Sequence, residues 1–140
     1  MISNRCQYAL KAMLELSLRQ RQGPVTIGQI ADAQKIPARF LEAILRQLKQ
    51  AGLAASARGK EGGYYLTRSP HEITMRQVIE LFEGPLIQAG NGVDGVPDVF
   101  SPVWRSAENA LIRIFDQTDF GALVENELTR TNILATNFTI

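Results

Sequence analysis

One stretch of the sequence decides the fold, residues 26–67, which read TIGQIADAQKIPARFLEAILRQLKQAGLAASARGKEGGYYLT. It opens with the spacing of a capping box, in which the Thr26 hydroxyl accepts a backbone N–H and the Gln29 amide reaches back. Apolar residues at helical spacing then predict a short helix, and Pro37 opens a second helix that ends near Gln50. Two such helices with a short connection form a helix-turn-helix.

Two strands are predicted directly after these helices, over residues 53–58 and 64–67. The glycines between them permit the tight turn of a hairpin. A helix-turn-helix followed at once by a hairpin is a winged helix. The expected fold class is therefore mainly α with a small β-hairpin, a winged helix-turn-helix plus a long C-terminal dimerisation helix.

Helical spacing also predicts helices on both sides of this stretch. One covers residues 4–19, and another begins at a second capping box, Thr74 with Gln77, and ends near Glu83. The second helix of the helix-turn-helix carries an apolar stripe opposite its polar face: Phe40, Leu41, Ile44, Leu45 and Leu48.

Two more helices are predicted in the last third of the chain. Ser101 and Pro102 can begin a long helix, and Thr118 with Asp119 can cap a last short helix, with a tail from Thr131 that frays. The long helix carries a seam of residues at heptad spacing, Trp104, Ala107, Leu111 and Ile114.

Three segments are predicted along the chain. A winged helix-turn-helix DNA-binding domain covers 1–85, a flexible loop rich in glycine and proline covers 86–100, and the dimerisation helix and tail cover 101–140. No apolar run approaches the roughly 18 residues of a membrane span, and no secretory signal is visible. The expected location is the cytoplasm, with no membrane partner.

The net charge of +1 conceals two halves of opposite sign. Residues 1–70 carry 11 Lys and Arg against 4 Asp and Glu, a net charge of +7. Residues 71–140 carry 4 against 10, a net charge of −6. A basic surface suits a polyanion such as double-stranded DNA, whereas the acidic half would be repelled by one.

The polar face of the second helix has the composition of a DNA-reading surface. A helix of this size fits a major groove about 12 Å wide, where Arg39 can pair with guanine and Glu42 can accept from a cytosine amino group. The candidate DNA-binding residues of this helix are Ala38, Arg39, Glu42, Ala43, Arg46 and Gln47. The alternative is an ordinary solvated face, which the adjoining hairpin and the basic charge disfavour.

The hairpin tip is the second candidate contact with DNA. A guanidinium on a hairpin can enter a minor groove, whose negative potential favours arginine. The wing candidates are Arg58, Gly59, Lys60, Gly62 and Gly63. Candidates for phosphate contacts, which position a protein without reading sequence, are Arg5, Tyr8, Thr26 and Gln29. Tyr8 could equally belong to the core.

Several motifs together carry a resemblance to a known family. They are RGKEGGYYL at 58–66, RSP at 68–70, EGP at 83–85, YALKAML at 8–14 and IPARFLE at 36–42. With them, nearly the whole chain resembles the Rrf-two family of winged-helix transcription regulators. The last two motifs are similar to the first helix and the recognition helix of that family.

The resemblance implies a homodimer, most often a repressor, that binds partly palindromic operators with the C-terminal helix as its dimer seam. It implies that Glu42 reads bases and that Arg58 is the minor-groove residue. Where related regulators carry small polar residues, this chain has Ala38, Arg39 and Ala43, so its target sequence is expected to differ.

The cysteine content departs from the iron–sulfur sensors of that family. Those sensors carry three clustered cysteines after the Glu-Gly-Pro motif, and thiolates are the usual cluster ligands. Cys6 is the single cysteine of this chain, so no cofactor is expected and the chain resembles the clusterless branch. Some members of that branch respond to metabolites, protein partners or thiol oxidation.

Cys6 and His71 each admit two interpretations. Cys6, near a helix start beside Arg5, could have a stabilised and oxidisable thiolate, but a lone cysteine there is more often a small buried hydrophobe. His71 could bind a metal or sense pH, but a lone loop histidine is more often solvated and inert. Neither a catalytic triad pattern nor a P-loop ending is present, so no enzyme is expected.

Two alternative functions stay open beside the DNA-binding regulator. One is a protein-interaction module that docks a partner through its winged helix, which the charge of the basic half disfavours. The other is a sensor for a small molecule or heme, bound between the wing domain and the long helix. An effector of unknown identity is therefore kept as a candidate partner.

Overall fold

The computed structural model describes residues 2–86 and 94–138. Within these ranges the α-helices are α1 (Asn4–Leu18), α2 (Ile27–Gln34), α3 (Ala38–Gln50), α4 (Met75–Glu83), α5 (Ser101–Gln117) and α6 (Phe120–Phe138). Strands β1 (Ala54–Ala57) and β2 (Gly63–Leu66) pair antiparallel. The predicted fold class, a mainly helical winged helix-turn-helix with a small hairpin and a long C-terminal helix, is confirmed.

Both predicted capping boxes are present, which explains where α2 and α4 begin. The Thr26 hydroxyl accepts from the Gln29 N–H at 3.1 Å, and the Gln29 side chain accepts from the Thr26 N–H at 2.9 Å. Thr74 and Gln77 repeat the pattern with distances of 3.3 and 2.9 Å. Each box satisfies two backbone donors that a helix start leaves without intrahelical partners.

The hairpin of β1 and β2 is fixed to the helix-turn-helix by a third backbone segment. Val25 pairs with Tyr64, and the N–H of each donates to the carbonyl of the other at 2.8 Å. At Gly63 a Cβ atom would lie 2.5 Å from the Val25 carbonyl oxygen, and the residue has φ 155°. A glycine is therefore required where the wing crosses the segment before α2.

The core lies between α1, α3, α4 and the first turn of α6. The apolar face of α3 is buried there with the inner faces of α1 and α4, and its members include Ala9, Met13, Leu16, Leu41, Ile44, Leu45, Leu48 and Val78. Phe120 of α6 is fully buried in the same core. The helix that the sequence assigned to the dimerisation segment thus closes the core of the winged helix.

Phe40 differs from the other members of the apolar stripe of α3. The side chain is 41% exposed, while its four apolar companions on α3 are buried. Position 40 lies at the edge of the stripe, and its ring stacks on the half-buried Tyr8 of α1 with centroids 5.8 Å apart. Phe40 therefore belongs to the surface between α1 and α3.

The C-terminal helices differ from their predicted bounds. Ser101 is not the N-cap of α5, because the Asp98 carboxylate accepts from the backbone N–H groups of Phe100 and Ser101 at 2.9 and 3.0 Å. Asp119 does cap α6, accepting from the Ala122 N–H at 2.8 Å. The last helix is not short, since α6 continues through the expected frayed tail to Phe138.

The predicted flexible loop over 86–100 falls partly outside the described residues, which exclude 87–93. In the described ranges, none of the helices combines the length and the apolar character needed to cross a membrane.

Candidate nucleic-acid interface

The exposed face of α3 presents most of the predicted base-reading side chains together. Arg39, Glu42, Ala43 and Arg46 are all exposed, while the opposite face of the helix is buried. The Arg46 guanidinium lies 3.1 Å from the Glu42 carboxylate, with side-chain exposures of 62% and 69%. An ion pair this exposed contributes about 0–1 kcal/mol to stability. The pair can therefore separate at little cost, which leaves Glu42 free to contact a base and Arg46 free to contact a phosphate.

Gln47 and Arg5 lie beside this face and bond within the protein. The Gln47 amide donates to the Leu81 carbonyl at 3.2 Å and accepts from the Arg5 guanidinium at 2.7 Å. The same guanidinium lies 5.5 Å from the ring centroid of Phe82. Both residues were predicted to contact DNA, and the structure shows that they join α1, α3 and α4.

Tyr8 lies at the boundary between the core and the surface, the two locations predicted for it. It is half-buried and packs against the core, and its ring faces Phe40 on the surface beside α3. Thr26 and Gln29 are exposed at the start of α2, but each side chain bonds the backbone of the other. The capping box therefore accounts for their spacing without a phosphate. The four predicted phosphate contacts stay predictions.

The wing tip projects cationic side chains from a backbone that requires glycine. Arg58 and Lys60 are exposed at the tip, next to Gly59 with φ 106°. A Cβ atom at Gly62 would lie 2.3 Å from the Ala57 carbonyl oxygen. The glycines thus permit the tight return of the chain, and both cations are exposed beside them.

A surface feature that the sequence did not predict lies between α1 and α3. It is an apolar cup of about 340 Å³, formed around the stacked rings of Tyr8 and Phe40 and bordered by Arg5, Arg39 and Ala43. The Arg39 guanidinium lies 4.8 Å from the centroid of the Phe40 ring. The one signal in the sequence is the aromatic residue at position 40, at the edge of the apolar stripe and next to Arg39.

Cys6 is buried and has no character of a reactive thiolate. It is 0% exposed, and burial together with the nearby Glu83 carboxylate raises the pKa of the thiol to about 11. The thiolate is the nucleophile and the metal ligand, so a neutral buried thiol is inert at physiological pH. The interpretation of Cys6 as a small buried hydrophobe is confirmed.

The described residues hold no cluster of metal-ligating side chains. Over residues 2–86 and 94–138, no group of three or more His, Cys, Asp and Glu side chains is close enough to hold a metal ion. The sequence supplies a single cysteine, whereas cysteine thiolates are the usual cluster ligands.

His71 connects two elements and is not an isolated loop residue. Its Nδ1 lies 3.3 Å from the Asp119 carboxylate, and its side chain is 63% exposed. A Cβ atom at Gly121 would lie 2.2 Å from the imidazole ring, so the ring covers the glycine at the start of α6. Beside it lies a cleft of about 570 Å³ between the end of α1, the turn Pro70–Glu72 and α6.

The predicted dimer seam of α5 is largely exposed in the single chain. Trp104 is 52% and Ile114 is 54% exposed, Ala107 is exposed, and Leu111 is half-buried. Phe100 stacks on Trp104 with centroids 6.4 Å apart and extends the same apolar surface. Monomeric proteins rarely expose large contiguous apolar patches, and such patches mark interaction sites.

Comparison with known proteins assigns this architecture to a family. Residues 2–126 match the family Rrf2, described as an iron-dependent transcriptional regulator. An HTH-type transcriptional regulator of Rhodobacter capsulatus, named rrf2-like, is 40% identical over 61% of this chain, and the match spans 59% of that protein. The HTH-type transcriptional regulator IscR of Aliivibrio salmonicida is 31% identical over 94% of this chain and 82% of its own length.

A solved structure extends the likeness to three dimensions. CymR, titled the global cysteine regulator of B. subtilis, superposes with a TM-score of 0.82 and 29% identity, covering 90% of this chain and 97% of CymR. The family and these relatives are transcription regulators and not enzymes. The exposed α3 face, the wing and the whole-length match therefore lead to one conclusion: the chain belongs to the Rrf2 family of DNA-binding transcription regulators.

Proposed function

We propose that the protein is a homodimeric, sequence-specific transcriptional repressor that operates without an iron–sulfur cluster. The observation that carries the proposal is the surface formed by the exposed face of α3 and the wing tip. Arg39, Glu42 and Arg46 lie on that face, and Arg58 and Lys60 are exposed at the tip of the wing. This surface belongs to the half of the chain with a net charge of +7.

Each part of the surface has a chemical role in this proposal. Arg39 pairs with guanine in the major groove, and Glu42 accepts from a cytosine amino group. Arg46 lies one turn further along α3 and neutralises phosphate. Arg58 enters the minor groove, and Lys60 adds a contact to the backbone that is independent of sequence.

The exposed seam of α5 supports dimerisation. Trp104, Ala107, Leu111 and Ile114 follow heptad spacing, and a second copy of the chain would bury them. Two winged helices held in this way present their α3 helices to half-sites about 34 Å apart, one turn of the DNA duplex, or a close variant. A symmetric dimer matches a partly palindromic operator.

The proposal of a clusterless regulator rests on the cysteine content. The chain has one cysteine, its thiol is buried, and its pKa is raised to about 11. We therefore propose that the regulator responds to a signal other than the assembly of an iron–sulfur cluster. Because the proposed ligand is double-stranded DNA, we place the protein in the cytoplasm.

In-vitro selection of bound duplexes from a random library tests the proposal. It should return a partly palindromic site whose half-site spacing fits two α3 helices about one turn apart. Binding should weaken steeply with salt, because neutralised phosphates release counterions. Glu42→Ala should change the selected base preference, whereas Glu125→Ala, on the exposed face of α6, should not.

Two results would contradict the proposal at different levels. An unchanged preference for Glu42→Ala would remove the base-reading role of that residue. A strictly monomeric chain that enriches no duplex at low ionic strength would exclude the DNA-binding dimer itself.

The cleft beside His71 favours a second candidate function, regulation by a small-molecule effector. The cleft measures about 570 Å³ and is lined by the winged helix and by α6, with Arg21, His71 and Glu125 among its walls. That volume is within the usual range of small-molecule sites. Absorbance of the purified protein separates heme from a colourless organic effector, and thermal-shift screening with metabolites identifies the latter.

A further inference from the structure

We propose that the apolar cup between α1 and α3 receives the C5-methyl group of a thymine in each operator half-site. Phe40 and Ala43 would then be specificity-determining residues, and Phe40 is one that neither the motifs nor the charge pattern indicate. This inference rests on the proposed DNA-binding function. Its test below separates its own failure from the failure of that function.

The position of the cup is the first argument. The cup borders the residues proposed to read bases, since Arg39 and Ala43 line it and Glu42 lies between them in sequence. A helix seated in the major groove therefore brings the cup to the edges of the base pairs. Ala43 offers its exposed methyl group at the centre of this face.

The second argument is that Phe40 is held in place although it is partly exposed. Its ring stacks on Tyr8 at 5.8 Å with an interplanar angle of 24°, and the Arg39 guanidinium lies 4.8 Å from its centroid. Stacking on Tyr8 restricts the ring, so its exposed 41% is a preorganised apolar surface. Preorganisation lowers the entropy cost of a contact.

The rim of the cup is positively charged. Arg5 and Arg39 border the cup, and none of the described residues that line it is acidic. An apolar surface bordered by guanidinium groups is complementary to DNA, where phosphates and guanine edges surround the base methyl groups. This arrangement selects a nucleic acid as the occupant over a purely apolar ligand.

The chemistry of the major groove completes the argument. All four bases present hydrogen-bonding atoms in the major groove, and thymine is the one that adds a methyl group. Apolar side chains facing the other bases would leave those polar atoms without partners, which costs free energy. The cup is larger than one methyl group, and its open side leaves space for the rest of the nucleotide.

The test replaces thymine with deoxyuridine, which lacks only the methyl group. Selection from random duplexes is run in parallel with a thymine library and a deoxyuridine library, using the full chain. The thymine library should enrich a thymine at one position beside the bases assigned to Arg39 and Glu42, and the deoxyuridine library should lose that enrichment. In the selected duplex, a single replacement should weaken binding about fourfold, and replacement in both half-sites about 16-fold, the factor expected from one buried methyl each.

Two variants assign the effect to the cup. Ala43→Ser exchanges the methyl group for a hydroxymethyl group at an exposed position and should remove most of the difference between thymine and deoxyuridine. Ala51→Ser, an exposed alanine at the end of α3, is the matched control and should keep it. Phe40→Leu, which keeps the site apolar, should retain part of the preference.

The outcomes distinguish a failure of the methyl contact from a failure of DNA binding itself. Duplex binding that is indifferent to deoxyuridine at every thymine overturns this inference and leaves the DNA-binding function intact. A methyl preference that Ala43→Ser does not change also overturns it, since the methyl would then be read elsewhere. Failure to enrich any duplex overturns both.

Discussion

Helices α3 and α5 have similar amphipathic sequences and opposite environments. The apolar face of α3 is buried within its own chain, with Leu41, Leu45 and Leu48 at 0% exposed. The heptad seam of α5 faces solvent, with Trp104 at 52% and Ile114 at 54% exposed. The same periodic pattern predicts an apolar face on both helices. Only the structure shows that the face of α3 is buried within the chain and that the face of α5 is not.

The difference also separates the two tasks of the molecule. The polar side of α3 is exposed because its apolar side is satisfied, so its charged residues are available to a nucleic acid. The apolar side of α5 is exposed because the described part of the chain supplies too little to cover it, so a second copy is its proposed partner. Charge follows the same division, +7 in residues 1–70 and −6 in residues 71–140.

The largest effect is expected when the exposed seam of α5 is charged. In the double variant Trp104→Glu, Ile114→Glu, the dimer should become a monomer, and affinity for a two-half-site duplex should fall by about 100-fold or more, because linked binding is lost. Light scattering after size exclusion and fluorescence anisotropy measure the two effects. Asn109→Glu, on another side of α5, should change neither, and a double variant that stays dimeric would exclude this seam.

The comparison is sharpened by removing equivalent apolar groups from the two helices. Leu45→Ala should lower the free energy of unfolding by about 2–5 kcal/mol, because a core cavity forms. Ile114→Ala should lower it by less than about 1 kcal/mol at concentrations below dimerisation, since the side chain is half in solvent. Urea denaturation at low protein concentration measures both, and equal losses would contradict the assigned environments.

A pH dependence is expected from the buried thiol of Cys6 in α1. The folded-state pKa of Cys6 is about 11, above its ordinary value of 9.0, so the folded state holds this proton more tightly than the unfolded state. The stabilisation is complete below pH 9.0 and is lost as pH rises towards about 11. Its upper limit is about 3 kcal/mol, at 1.36 kcal/mol for each unit.

Denaturation at pH 8 to 11 measures this loss, with Cys6→Ala as the reference for other titrating groups. The wild-type protein should lose more stability than the variant across that interval. Parallel curves for the two proteins would contradict a raised pKa at Cys6. At pH 8, iodoacetamide should modify the unfolded chain much faster than the folded one.

The smallest effect is expected at the wing tip. Lys60→Ala should weaken binding a fewfold and to a similar degree for all duplexes, and the slope of log affinity against log salt should decrease by about 1, one phosphate contact. Arg113→Ala, on α5 in the acidic half, should leave the slope unchanged. A loss confined to the selected operator would instead make Lys60 a base-reading residue.

The sequence predicted the elements whose causes are local. Thr26 with Gln29 and Thr74 with Gln77 form capping boxes because their side chains bond backbone atoms three residues away. The glycines of the wing are equally local, since the tip needs backbone conformations or close approaches that other residues resist. Exposed Arg39 and Glu42 followed from the same helical period that buries Leu41.

The features that the sequence did not predict depend on contacts between distant segments. Phe40 has the spacing of a core residue, but Tyr8 of α1 places it at the surface. Gln47 lies on the polar side of α3, but Arg5 and the Leu81 carbonyl engage it. Residues 131–138 lack a strong helical pattern, yet α6 includes them, and propensity alone is a weak guide to such tails.

The burial of Phe120 has a consequence for how a signal could travel. Its N–H donates to the Ile73 carbonyl at 2.9 Å, the Met75 N–H donates to the Thr118 carbonyl at 2.9 Å, and its ring lies in the core that supports α3. The first turn of α6 is therefore fixed to the same core that supports α3. Any displacement of the first turn of α6 would therefore have to be accommodated by the core that supports α3.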